Sequence, residues 1–76
     1  HRQLEIEDEL DQVTRILDLL PEQQKLIFQL RDVEQYEFGE IAEITQMNET
    51  AIRVALSRAR KKIREELIKK HNYGIR

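Results

Sequence analysis

Phe38-Gly39-Glu40-Ile41-Ala42-Glu43-Ile44-Thr45-Gln46-Met47-Asn48-Glu49-Thr50-Ala51-Ile52-Arg53-Val54-Ala55-Leu56-Ser57-Arg58-Ala59-Arg60-Lys61-Lys62-Ile63-Arg64 is the stretch that decides the fold. Ile41, Ala42 and Ile44 are spaced for a short helix beginning near Phe38. Gln46, Met47 and Asn48 interrupt the pattern. Asn48 is a favoured N-cap, because its side-chain oxygen can accept a backbone N–H of the next turn. From there Ile52, Leu56, Ala59, Ile63 and Leu67 fall on one narrow apolar stripe of a longer helix. A short helix, a tight turn and a longer helix make a helix-turn-helix unit.

Toward the N-terminus, Leu10, Val13, Ile16, Leu17 and Leu20 recur at helical spacing and predict a first helix from about Glu9 to Leu20. Pro21 ends it and suits the first position of the next helix, where no amide donor is needed. Leu26, Ile27, Leu30 and Val33 then line one side of a second helix, with Phe28 at its margin. Glu34, Gln35, Tyr36 and Glu37 break the period and read as a loop. The expected fold is all-α: a small four-helix domain containing a helix-turn-helix with a long C-terminal recognition helix. It is expected over residues 9–70, after a linker end or frayed lead-in at 1–8 and before a frayed tail at 71–76.

Composition removes several function classes. Seventy-six residues make one small domain with a modest core. There is no cysteine, hence no disulfide framework and no thiolate metal site. No apolar run approaches the roughly 20 residues of a membrane span, and the start does not read as a signal peptide. One proline and two glycines leave little material for a phosphate-cradling loop. The two histidines sit near opposite ends, Ser57 has no nearby base, and no cluster has metal-ligand spacing. Neither an enzyme nor a cofactor is expected, and the location expected is cytosolic.

The net charge of −2 conceals a strong asymmetry. Residues 1–50 carry four basic side chains against thirteen acidic ones, whereas residues 51–76 carry nine basic against two acidic. A basic block of this kind points to a polyanionic partner or to an acidic protein, and it also fits a solvated basic helix lying against an acidic one. With the Ile52 stripe facing the core, Thr50, Arg53, Val54, Ser57, Lys61 and Arg64 face outward, flanked by Arg58 and Lys62. Short side chains let such a helix approach base edges in a major groove, while cations further along reach phosphates. Val54 can meet a thymine methyl or be an ordinary exposed apolar residue. Arg53 can make a bidentate contact to guanine or pair with Glu49 one turn earlier. Arg60 and Lys62 can instead lie along the core edge with stems buried and charges out.

Three segments resemble one family. Leu20-Pro21-Glu22-Gln23-Gln24 followed by Leu30-Arg31-Asp32-Val33-Glu34 resembles the opening of region 4 in bacterial RNA polymerase sigma factors of the extracytoplasmic-function class. Phe38-x-Glu40-Ile41-Ala42-Glu43-Ile44 is similar to the first helix-turn-helix segment of that family, and Leu56-Ser57-Arg58-Ala59-Arg60-Lys61-Lys62-Ile63-Arg64 to its second. The likeness runs from about Asp11 to Leu67. It implies a domain that reads the −35 promoter element in double-stranded DNA while docked on the β-flap of the RNA polymerase core. It also implies a possible anti-sigma partner, a monomeric state and a place at the bacterial nucleoid. By position it puts Thr50, Ala51, Arg53 and Val54 near the bases and Ser57, Arg58 and Lys61 near the backbone, with Arg64 on the same face. A companion domain for the −10 element is not in this sequence, so the chain looks like a carboxy-terminal fragment.

Three positions depart from the family pattern. Gln46 stands where glycine is usual, and a left-handed conformation there costs a non-glycine roughly 1 kcal/mol, so a slightly different turn is expected. Ala55 replaces an arginine, which changes the expectation for promoter sequence and leaves the fold alone. Gly39 replaces a common glutamate and softens the third helix by up to ~1 kcal/mol. Two other readings fit the pattern: a response-regulator output domain, which works as a dimer and lacks the Ser-Arg-Ala-Arg-Lys-Lys signature, and a helical interaction module that binds an acidic protein and no duplex.

Overall fold

A computed structural model describes residues 12–75, with side chains through residue 69. The expected linker at 1–8 and the start of the first helix lie outside the described residues. The described part contains four helices and no strand: α1 at residues 12–18, α2 at Glu22–Phe28 with a π-helical continuation over Gln29–Val33, α3 at Phe38–Thr45 and α4 at Glu49–Ile75.

The core is aliphatic. Ile16, Leu20, Ile27, Leu30, Ile41, Ile52, Ala55, Leu56 and Ala59 are buried, and among the described residues no polar or charged one is buried with them. Ile27 and Leu30 of α2 meet Ile41 of α3 and Ile52, Ala55 and Leu56 of α4 in one cluster, with Phe28, Tyr36, Phe38, Ala42 and Met47 packed around it. The α4 stripe therefore forms as its spacing predicts at Ile52, Leu56 and Ala59; further along, Ile63 is half-buried and Leu67 exposed. Ala55 is a core residue, so the departure from arginine at that position places a methyl in the interior. The α4 backbone stays helical past residue 70 to Ile75, where the loss of apolar pattern predicted fraying.

The junctions explain where the simple 3.6-residue period fails. At the end of α1, Leu19 and Leu20 donate to the carbonyls of Ile16 and Leu17 in a tightened last turn, and Val13 is exposed. Pro21 is the N-cap of α2 rather than its first residue, with extended ψ of 148° and its carbonyl accepting from Lys25. After Phe28 the helix widens: Glu34 N–H donates five residues back to Gln29, and Tyr36 N–H reaches Leu30 across a left-handed Gln35. The extra residue in this wide turn puts the chain out of phase with an α-helix. Val33, expected on the inner face, is accordingly 63% exposed. Leu26, also expected inside, is 45% exposed beside Ile27.

α3 starts where Glu40 accepts the Glu37 backbone N–H at 2.8 Å, a reach-back bond that satisfies an orphan donor. Gly39 has no positive φ, and a Cβ added there would meet nothing within 4 Å, so the position has room for a side chain. Ile44, near the helix end, is exposed rather than buried. At the turn Gln46 does take the left-handed conformation, φ 62° and ψ 21°, correcting the expectation of a different turn. Its amide bonds Ala42, its side-chain Nε2 donates to the Glu43 carbonyl at 2.8 Å, and the Thr45 hydroxyl accepts from Met47 N–H. These bonds help offset the roughly 1 kcal/mol that the conformation costs. Asn48 caps α4 as predicted, its Oδ1 accepting from Ala51 N–H at 2.7 Å and its carbonyl from Ile52.

Candidate nucleic-acid interface

The cap at Asn48 and the left-handed residue at Gln46 aim α4 so that its Ile52 stripe faces inward and the opposite face is open. Thr50, Arg53, Val54, Ser57, Arg58, Lys61 and Arg64 are all exposed on it, and Ala51 is half-buried beside the cap. Val54 keeps 42% of its surface open to solvent. Thr50 and Val54, and then Ser57, lie along the first turns; Arg58, Lys61 and Arg64 follow. Short side chains near the helix N-terminus and cations beyond it make a graded surface suited to a groove and its flanking phosphates.

The cations of the Arg-x-Arg-Lys-Lys-x-Arg run divide into two groups. Arg60 is bidentate to Asp32 of the π-turn, with Nε–Oδ2 2.8 Å and Nη2–Oδ1 2.6 Å. Hydrogen bonding from the Arg60 guanidinium holds the Asp32 carboxyl below the usual carboxylate range, and Arg60 is itself pushed up by the same bond. Lys62 and Lys69 both lie 3.3 Å from Glu66, whose carboxyl is lowered by their hydrogen bonds. Among the described residues, by contrast, none forms an ion pair or hydrogen bond with the side chain of Arg58, Lys61 or Arg64.

Arg53 realises the pairing that its spacing allowed: its Nη1 lies 3.5 Å from Glu49 Oε1. It also places its guanidinium 4.4 Å from the centroid of the Phe38 ring. Sequence reasoning missed Phe38, because a contact between the first residue of one helix and the second turn of the next is set by the turn and not by any period. It missed Arg31 as well, which stacks on the same ring at 4.5 Å and donates to the Tyr36 carbonyl at 2.8 Å. The Asp32–Arg60 pair carried no signal beyond opposite charge, since 28 positions separate its members.

An open groove between α2 and the end of α3 has Leu26, Ile44 and Met47 as its apolar lining, with Glu22 and Lys25 among its polar lining. Among the described residues no group of His, Cys, Asp and Glu is placed to hold a metal, and no helix is long and apolar enough to cross a membrane.

The family model described as sigma-70, region 4, matches residues 10–63, a span that takes in the core, the left-handed turn and the graded face of α4 as far as Lys61. The chain belongs to the sigma-70 region 4 family. No curated protein and no solved structure matches it. In sigma factors generally, region 4 is a DNA-binding regulatory domain that recognises the −35 promoter element and works with RNA polymerase in transcription initiation. The helix-turn-helix of this region 4 is formed by α3 and α4.

Proposed function

We propose that this chain is the −35-reading domain of an extracytoplasmic-function sigma factor, acting as a monomer at the bacterial nucleoid. Thr50, Ala51, Arg53 and Val54 face the base edges, and Ser57, Arg58, Lys61 and Arg64 follow the phosphate backbone. The observation that carries this reading is the outward face of α4, where exposed short side chains precede cations with no partner among the described residues. The groove of Leu26, Ile44 and Met47, none of whose lining residues belongs to α4, offers an apolar seat for the tip of the polymerase β-flap. An anti-sigma factor covering either surface would silence the domain.

The test is selection of preferred duplexes from random DNA at low salt, where a single module burying about 600–1,000 Å² still binds. Arg53→Ala and Val54→Ala should each change the preferred sequence, at about 1–3 kcal/mol per lost base contact. Variants that keep the parental preference would remove both base assignments.

A further inference from the structure

Phe38 opens α3 with its ring half-buried against the cluster of Ile27, Leu30, Ile41, Ile52, Ala55 and Leu56. That packing gives the ring a position set by the core and not by solvent. Two guanidiniums use it, and they differ in what their edges do. The edge of Arg31 is occupied inside the protein: Nη1 donates to the Tyr36 carbonyl at 2.8 Å and lies 3.5 Å from Glu37 Oε1. The Cζ of Arg53 lies over the Phe38 ring, 4.4 Å from its centroid, and its one ion pair among the described residues is a 3.5 Å contact with exposed Glu49 one turn back. Exposed pairs of this kind exchange readily in water.

A cation–π contact uses the charge of a guanidinium over the face of an aromatic ring, whereas recognition of guanine uses two of its N–H donors. The two can be satisfied together. A long side chain ordered before binding also loses less rotamer freedom when it binds. We propose that Phe38 is a positioning residue for base selection: its ring, anchored in the core, holds the Arg53 fork ready for one base pair, acting through Arg53. The proposal rests on the promoter-reading function above and adds a residue outside the recognition helix.

The test compares the 76-residue chain with Phe38→Leu, Phe38→Tyr, Arg53→Ala and the Phe38→Leu/Arg53→Ala double variant. Each is titrated against the selected duplex, against every single-base-pair substitution of it, and against an unrelated duplex. Phe38→Leu should lower discrimination by about two- to fivefold at the base pair that Arg53→Ala flattens, leaving the other positions and the unrelated duplex unchanged. Phe38→Tyr should keep the parental profile, and Phe38→Leu should change nothing at that base pair in the Arg53→Ala background. In the free parent the Arg53 δ protons should be shifted upfield by the ring, a readout that does not depend on any variant folding.

Unshifted Arg53 δ protons in the parent would overturn the proposal. So would a Phe38→Leu chain that weakens all duplexes alike, or whose loss persists without Arg53. A parent that discriminates among duplexes while Phe38→Leu matches it overturns the role of Phe38 alone. A parent that binds the selected duplex no better than the unrelated one overturns the promoter reading and this proposal with it.

Discussion

Arg58 and Arg60 sit two positions apart on α4 and belong to different parts of the molecule. Arg60 lies on the edge that faces α2, where Asp32 takes both ends of its fork. Arg58 lies on the open face with Lys61 and Arg64, where among the described residues no carboxylate meets it. The charge on the inner edge holds the helix to the rest of the domain; the charge on the outer edge stays open to a partner. A run of cations in a sequence is thus not one feature. Rotation of about 100° per residue deals its members to different faces, and the distribution of carboxylates on neighbouring elements decides which remain available.

The largest effect that separates the two sides is on stability. Ile52→Ala, in a fully buried position, should cost about 2–5 kcal/mol in urea unfolding. Val54→Ala, two residues on and 42% exposed, should stay within about 0.5 kcal/mol of the parent. Comparable losses for the two would mean that α4 is not oriented as described.

The turn that sets this orientation gives a smaller effect. Gln46→Gly relieves a left-handed non-glycine residue but removes the bond to the Glu43 carbonyl, and should raise stability by up to about 1 kcal/mol. Duplex preference should not change, because both edges of α4 keep their places. A fall in stability would show that the side-chain bond outweighs the backbone strain.

Smaller still is the inner-edge ion pair. Asp32 and Arg60 are both partly exposed, so solvent screening limits Asp32→Asn to a cost of about 0.5–1 kcal/mol near neutral pH. The sign with pH follows from the lowered Asp32 carboxyl. Its contribution is complete above the ordinary aspartate value of about 3.9 and is lost as pH falls through the lower value it has in the folded protein. Unfolding curves of parent and Asp32→Asn should therefore converge in strong acid and separate again above about pH 5. A gap that persists unchanged into acid would mean that the carboxylate charge is not its source.

Much of this was legible in the sequence, and what was not has physical causes. Ile41, Ile52, Leu56 and Ala59 were readable because α3 and the start of α4 are regular helices, for which a 3.6-residue period is a sufficient guide. Asn48 was readable because capping is local chemistry. Val33 was misplaced because the π-turn inserts a residue that no periodic pattern announces, and Gln46 because its own side-chain bond to the Glu43 carbonyl and the Met47–Thr45 bond beside it sustain a conformation that glycine usually supplies. On the candidate interface, the outward residues Thr50, Arg53, Val54, Ser57, Lys61 and Arg64 followed from the wheel. The partners that sort the cations, Asp32 for Arg60 and Phe38 for Arg53, are distant in sequence and meet only once the chain is folded.

The most direct test of the division between the two edges is the salt dependence of duplex binding. The logarithm of the binding constant falls linearly with the logarithm of salt concentration, with a slope near −0.9 per neutralised phosphate. Arg58→Ala should reduce the magnitude of that slope by about 0.9, and Arg60→Ala should leave it unchanged while lowering stability. Equal slopes for the two variants, whether both reduced or both parental, would contradict the account.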